Sequence, residues 1–235
     1  MRSSRAIHES HRLVEIRAGR VTLEGDLAIS DAPRGIVIFA HGSGSSRHSP
    51  RNQFVAEALR NGANVATLLF DLLSAEEEAI DAQTGELRFD IDLLAERLGF
   101  ATDWARNDSK TRDLPIGYFG ASTGAAAALV AAARRPEQIA AIVSRGGRPD
   151  LAGQGLERVR APTLLIVGGL DYVVLAMNRS ALSRIPAEKA LEVVPGASHL
   201  FEEADTLADV AYRAVRWYKK FLSKNSSAPA RGGTP

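Results

Sequence analysis

The pentapeptide Gly120-Ala-Ser122-Thr-Gly124 sets a serine between two glycines. It directly follows the apolar run Ile116–Phe119 and directly precedes the small-residue stretch Ala125–Val130. A turn that passes from strand to helix in so few residues strains the backbone at its central residue. It also lifts that side chain above the sheet, where a hydroxyl can attack an electrophile. The flanking glycines are needed because any side chain there would strike neighbouring backbone. The helix start aims amides and the positive end of its dipole at the serine. The plainer reading is a Gly/Ser turn kept for close packing of helix on sheet.

A serine hydroxyl is a poor nucleophile until a base takes its proton. The chain has five histidines, at 8, 11, 41, 48 and 199. His8 and His11 belong to a polar terminal segment. His199 stands in Pro195-Gly-Ala-Ser-His199, after the last apolar run and before a long amphipathic stretch. In an open parallel sheet that loop falls at the same carboxyl edge as the serine turn. An acid should orient the imidazole from another strand end. Leu164-Leu-Ile-Val-Gly-Gly-Leu-Asp171 offers one, with Asp150 as the alternative and a plain helix N-cap as the competing role for Asp171. The chain order Ser122, Asp171, His199 suits a nucleophile, orienting acid and base.

Acyl chemistry also needs amides that hold a developing oxyanion. Thr123, after the serine, should supply one, and Ser43 in His41-Gly42-Ser43-Gly44 the other. His41 reads as a packing and hydrogen-bonding residue beneath that loop. Gly42, Arg145 and Arg148 are the candidate substrate contacts, and Arg47 and Arg51 follow the oxyanion loop. An arginine beside the cleft could clamp a substrate carboxylate. The ordinary alternative is a salt bridge to Asp150 or a solvated rim.

These residues must be positioned by a sheet. Leu13–Arg17 and Val21–Ile29 alternate apolar and polar around Gly19, the pattern of an antiparallel hairpin with one wet face. Continuous apolar runs follow at Ile36–Ala40, Ala63–Phe70, Ile116–Phe119, Ile139–Val143, Thr163–Val167 and Leu191–Val194. Amphipathic stretches separate them, at Gln53–Asn61, Phe89–Asn107, Gly124–Arg134, Val174–Ile185 and Glu203–Leu222. Strands alternating with helices predict an α/β fold: a mostly parallel sheet covered on both faces, with the hairpin as an antiparallel edge. No repeat or second core is visible, so one domain is expected over 12–223, with flexible termini at 1–11 and 224–235. The acidic run Glu76–Glu78 within Ser74–Phe89 reads as a solvated turn, or as part of a lid.

Composition narrows the classes. Apolar residues make up 45% and charged residues 24%, ordinary for a globular chain. Twenty-nine Lys and Arg against 28 Asp and Glu give a net charge of +1, too little to drive nucleic-acid binding. There is no cysteine, which removes thiolate metal sites, disulfides and a cysteine nucleophile, and fits a reducing compartment. The N-terminus has charge but no apolar stretch behind it, and runs such as Ala125–Ala133 are too short to span a bilayer. The expected location is the cytoplasm, without membrane or nucleic-acid partners. No metal or cofactor is expected, the partner is a small ester, and assembly could extend to a homodimer.

Several longer segments carry a resemblance: Ala40–Asn52, Phe119–Ala126, Val143–Arg148 and Val194–Glu202. Together they resemble the dienelactone hydrolase-like branch of the α/β-hydrolase superfamily, over about Arg20 to Leu222. The resemblance implies an acyl hydrolase with Ser122, Asp171 and His199 as its triad. Namesake members use a cysteine nucleophile, which this chain lacks, so dienelactone itself is a doubtful substrate. Similar sequences also occur joined to a phosphoribosyltransferase domain, which is not expected within these residues. The short stretch between Ser122 and Asp171 leaves no room for a large cap.

Three rival readings remain. Gly42-Ser-Gly44-Ser-Ser-Arg47 with Asp71 imitates a dinucleotide-binding turn, but Arg47 stands where a third glycine belongs. A non-catalytic scaffold would keep the fold alone. An acyltransferase would use the same triad with another acceptor in place of water.

Overall fold

The computed structural model describes residues 9–222. The expectations for 1–8 and for the tail from 223 lie outside them. Among the described residues eight strands form one sheet. They are β1 (Ser10–Ala18), β2 (Val21–Ile29), β3 (Ile36–Ala40), β4 (Ala66–Phe70), β5 (Ile116–Ala121), β6 (Ile139–Arg145), β7 (Thr163–Gly168) and β8 (Lys189–Val194). The spatial order is β1-β2-β4-β3-β5-β6-β7-β8. β1 and β2 form the antiparallel hairpin, β2 runs antiparallel to β4, and the remaining pairs are parallel.

The helices are α1 (Pro50–Ala63), α2 (Ala75–Thr84), α3 (Ile91–Asn107), α4 (Thr123–Arg134), α5 (Tyr172–Arg184) and α6 (Thr206–Phe221). Every residue of β3, β4, β5 and β7 is buried, as continuous apolar runs require when both faces are covered. Alternation then sorts the side chains. Ile36 and Ile38 face the layer of α3 and α4, while Val37 and Phe39 face α1 and α6. On the latter face the Tyr218 hydroxyl of α6 donates to the Tyr118 carbonyl at 2.6 Å, tying helix to central strand.

Element boundaries depart from the sequence reading where capping decides them. α1 starts early, because the Ser49 side chain accepts from the Asn52 amide and Pro50 pre-sets the first turn. It runs through Ala63, and left-handed Asn64 ends it, so β4 begins only at Ala66. β1 reaches back to Ser10, where Ser10 and His11 pair with Ile29 and Ala28, so strand rather than fray occupies residues 10 and 11. The stretch expected as a solvated turn at Ser74–Phe89 contains α2. Ser74 and Glu77 close a capping box there, and Glu76–Glu78 sit at the positive end of the helix. A kinked 3₁₀ segment at Pro149–Arg158 fills the space before β7, and no cap is inserted there. Among the described residues no helix is long and apolar enough to cross a membrane.

Parallel pairing brings the carboxyl ends of β3 to β8 to one rim. Ala40 lies opposite Gly120, and Ala121 opposite Arg145. α4 packs hard onto this rim: a Cβ on Gly124 would lie 2.2 Å from the Ala40 oxygen and 2.4 Å from the His41 oxygen. Backbone cannot yield to that overlap. Gly124→Ala is therefore expected to lower unfolding free energy by about 3 kcal/mol or more. Gly155→Ala, whose added methyl would meet Val130 at 3.6 Å, should stay within about 1 kcal/mol. Urea unfolding midpoints compare the two.

Candidate active site

Ser122 stands between β5 and α4 with φ 51° and ψ −120°, a conformation that costs a non-glycine residue about 1–3 kcal/mol. Neighbouring backbone holds it there. Its amide donates to the Arg145 carbonyl at 3.2 Å, and its carbonyl accepts from the Ala125 and Arg148 amides, both at 3.1 Å. Its side chain makes no capping bond to α4, leaving the hydroxyl to the rim. The 41–49 loop passes close by, since a Cβ on Gly42 would fall 3.1 Å from that of Ser122.

His199 Nδ1 lies 2.6 Å from Asp171 Oδ2. A carboxylate only accepts, so Nδ1 carries the hydrogen and Nε2 of the neutral ring keeps its lone pair. Asp171 sits at the start of α5 but makes no side-chain cap bond. The N-cap role is therefore not the one its carboxylate plays. Two backbone bonds hold the acid's loop against the histidine's: Gly169 N to Val194 O at 2.8 Å and Leu170 N to Ala197 O at 2.9 Å. Glu203 braces the histidine loop by accepting from the Ser198 amide at 3.0 Å, a contact the sequence reading missed. The alternative acid, Asp150, is occupied by Arg148 through bonds of 2.9 and 2.7 Å.

Ser122 and His199 are brought to the same corner but are not hydrogen-bonded to each other. The link between them runs through Gly146, where a Cβ would lie 3.6 Å from His199 Cε1. The residue before it, Arg145, holds the Ser122 amide.

The candidate oxyanion donors are unequal. Thr123 begins α4, so its amide has no acceptor within the helix. The Ser43 amide donates instead to the Thr123 hydroxyl at 2.9 Å. It thus points at the residue beside Ser122 while already holding a partner. Beneath this loop His41 is buried and bonded at both ring nitrogens. Nδ1 donates to the Gly42 carbonyl at 3.0 Å, and Nε2 accepts from the Leu72 amide at 3.1 Å. Burial pushes its pKa below the ordinary histidine value. Arg47 fastens the loop's far end: its amide donates to Asp71 at 2.7 Å and its guanidinium meets Asp71 and Glu24. Asp71, which the dinucleotide reading needs for a ribose, is consumed by these bonds.

A cavity of about 300 Å³ opens beside the 41–49 loop. Its walls are apolar at Leu72, Leu73 and Leu94 and polar at Ser43, Glu78 and Arg88. α2 thus lines the cleft, and burial together with Asp71 and Asp81 raises the Glu78 pKa. The two rim arginines part company. Arg148 makes the salt bridge to Asp150, whereas Arg145 is buried with Nη1 unpartnered among the described residues.

Comparison with known proteins bears on the family and the fold. The model of the dienelactone hydrolase family matches residues 25–224. A Mycobacterium tuberculosis protein provisionally named a phosphoribosyl transferase is 58% identical over 205 residues, covering 87% of this chain and 45% of its own. The chain thus spans about half the length of that curated relative. A crystal structure of dienelactone hydrolase from Anabaena variabilis superposes with a TM-score of 0.89 at 56% identity, covering 91% of this chain and 99% of that one. An esterase domain from a Rhodothermus marinus protein shares the fold, with a TM-score of 0.71 at 18% identity, covering 91% and 100%.

His41 provides a test of the loop's anchoring. Its folded pKa is depressed, so protonation favours the unfolded chain. Its stabilising contribution should be complete above the unfolded value of about 6.5 and be lost as pH falls from there toward the folded value. Urea unfolding between pH 7.5 and 5 should show this slope, reduced in His41→Gln. Parallel profiles would mean that His41 is not the group responsible.

Proposed function

The chain belongs to the dienelactone hydrolase family and is a hydrolase of the α/β type, and from that premise we propose that it cleaves small carboxylic esters, lactones included, through an acyl-enzyme on Ser122. The observation that carries this reading is the 2.6 Å bond between His199 Nδ1 and an Asp171 carboxylate that ignores its own helix terminus. It leaves Nε2 as the free acceptor of the pair.

In the proposed sequence Nε2 takes the Ser122 proton as Oγ attacks the ester carbonyl. Approach of substrate tightens a Ser–His contact that unliganded sites often leave open. Asp171 keeps the ring in the Nδ1–H tautomer and stabilises the imidazolium. The Thr123 amide, pre-aimed by the start of α4, donates to the developing oxyanion. The Ser43 amide joins it by exchanging the Thr123 hydroxyl for the charged oxygen, a stronger acceptor. Collapse breaks the ester C–O bond, and His199 returns its proton to the leaving alcohol. Water, deprotonated by the same nitrogen, then releases the acid and restores the serine.

Serine in place of the cysteine of namesake enzymes supports simple esters over dienelactone. The transferase activity named for the longer mycobacterial relative is left to the part of that chain these residues do not span. The cysteine-free composition suits a reducing compartment, and the cytoplasm is where we place the activity.

With short-chain aryl esters, Ser122→Ala and His199→Ala should each lower kcat on the order of 10⁴-fold or more, and Asp171→Asn should retain more activity than either. Circular dichroism would establish that the variants fold. Substantial turnover by folded Ser122→Ala would remove Ser122 as nucleophile. Substantial turnover by folded His199→Ala would remove His199 as base.

A further inference from the structure

α5 buries Val174, Leu175, Asn178 and Ala181, and one of these four is polar. A buried amide is costly unless its hydrogen bonds are made. Asn178 Nδ2 donates to the Gly147 carbonyl at 2.9 Å and to the Val174 carbonyl at 2.8 Å. Two carbonyl acceptors fix which end of the amide carries the hydrogens. Its Oδ1 is buried without a partner among the described residues. A leucine would avoid that orphan acceptor but would leave the Gly147 carbonyl without this donor. Gly147 is itself buried and lies past the end of β6, where no sheet ladder continues. The side chain is thus explained by what it holds.

Residues 146–148 form a strap between the two halves of the site. The Gly146 amide donates to the Ile166 carbonyl at 2.8 Å, and the Arg148 amide to the Ser122 carbonyl at 3.1 Å. A Cβ on Gly146 would lie 3.3 Å from the His199 oxygen. One on Gly147 would lie 2.7 Å from the Ala125 Cβ, in the first turn of α4. The strap is therefore wedged between the elbow and the histidine loop, and Asn178 ties its middle residue to α5. Asp171 stands seven residues before Asn178, about two helical turns, so both lie on the same side of α5. One helix thus holds His199 at its head and the strap two turns along.

We propose that Asn178 is a positioning residue for the reaction. By fixing the strap to the helix that carries Asp171, it sets the separation between Ser122 and the Asp171–His199 pair. Proton transfer from Oγ to Nε2 depends on that separation. The effect on rate rests on Ser122 as nucleophile; the hold on the strap does not.

Asn178→Ala is compared with Ile185→Ala, which removes a buried side chain at the far end of the same helix. Both are assayed well below their unfolding midpoints, so that only folded protein is read. On short-chain aryl esters Asn178→Ala should lower kcat about 10–100-fold with KM within about twofold, the scale of misplacing a reacting group by about 1 Å. Ile185→Ala should keep the wild-type kcat. Asn178→Ser, too short to reach Gly147 but able to bond the Val174 carbonyl, serves if the alanine variant does not fold. Native-state hydrogen exchange needs no turnover. Relative to the core amides of β5, the Arg148 amide should exchange faster in Asn178→Ala and not in Ile185→Ala. Wild-type kcat in folded Asn178→Ala, an equal loss in Ile185→Ala, or unchanged exchange at Arg148 would overturn the proposal. Faster exchange at Arg148, in a protein whose wild type cleaves no ester, would uphold the tie to the strap and sink the esterase reading alone.

Discussion

The amino end of α4 lies so close to the carboxyl ends of β3 and β5 that only hydrogen fits at Gly120 and Gly124. A Cβ at Gly120 would fall 2.4 Å from the Ala125 Cα, and one at Gly124 would overlap the Ala40 oxygen. This contact between backbones forces the turn at Ser122 into its strained conformation. It also presents the Thr123 amide outward and carries the Thr123 hydroxyl to the Ser43 amide. The strain is offset locally: Arg145 and Arg148 each bond to Ser122 through their main chains, so side-chain substitution leaves the elbow's own hydrogen bonds intact. Geometry at Ser122 is therefore a property of the sheet and helix rather than of the loops above them.

The loops, in turn, are fastened by polar contacts unlike those of the core. His41 ties the oxyanion loop to the strand end at Leu72, and Arg47 ties its far end to Asp71. The histidine loop is stitched to the β7–α5 loop, with Glu203 bracing it from below. Each fastening satisfies a backbone group at a rim where no sheet ladder continues, as buried main chain demands. The candidate site is thus assembled from three separately anchored pieces, the turn at Ser122, the 41–49 loop and the loop that carries His199, whose common reference is the parallel sheet.

Much of this was legible in the sequence because its causes are local. The glycines at 120 and 124, the uninterrupted apolar strands and the loop positions of Asp171 and His199 all follow from strand and helix periodicity and from what a tight turn excludes. α2 was hidden because its face is nearly all polar, and its signal was the Ser74–Glu77 capping box rather than any apolar stripe. The fates of the arginines were not legible either. Arg145 and Arg148 differ by three positions, yet alternation along β6 buries the first while the second, past the strand end, swings out to Asp150. Which acceptor the Ser43 amide faces also depends on the approach of two segments 80 residues apart, which no local pattern encodes.

In the proposed mechanism one serine, Ser122, raised by the elbow and activated from the loop after β8, is the reactive nucleophile. Labelling the intact protein with a fluorophosphonate, followed by peptide mass mapping, tests it without knowledge of the substrate. A single adduct is expected on the peptide containing Ser122, its formation greatly slowed when His199 is replaced by alanine. An unlabelled protein, or an adduct on another serine such as Ser43 or Ser144, would contradict it.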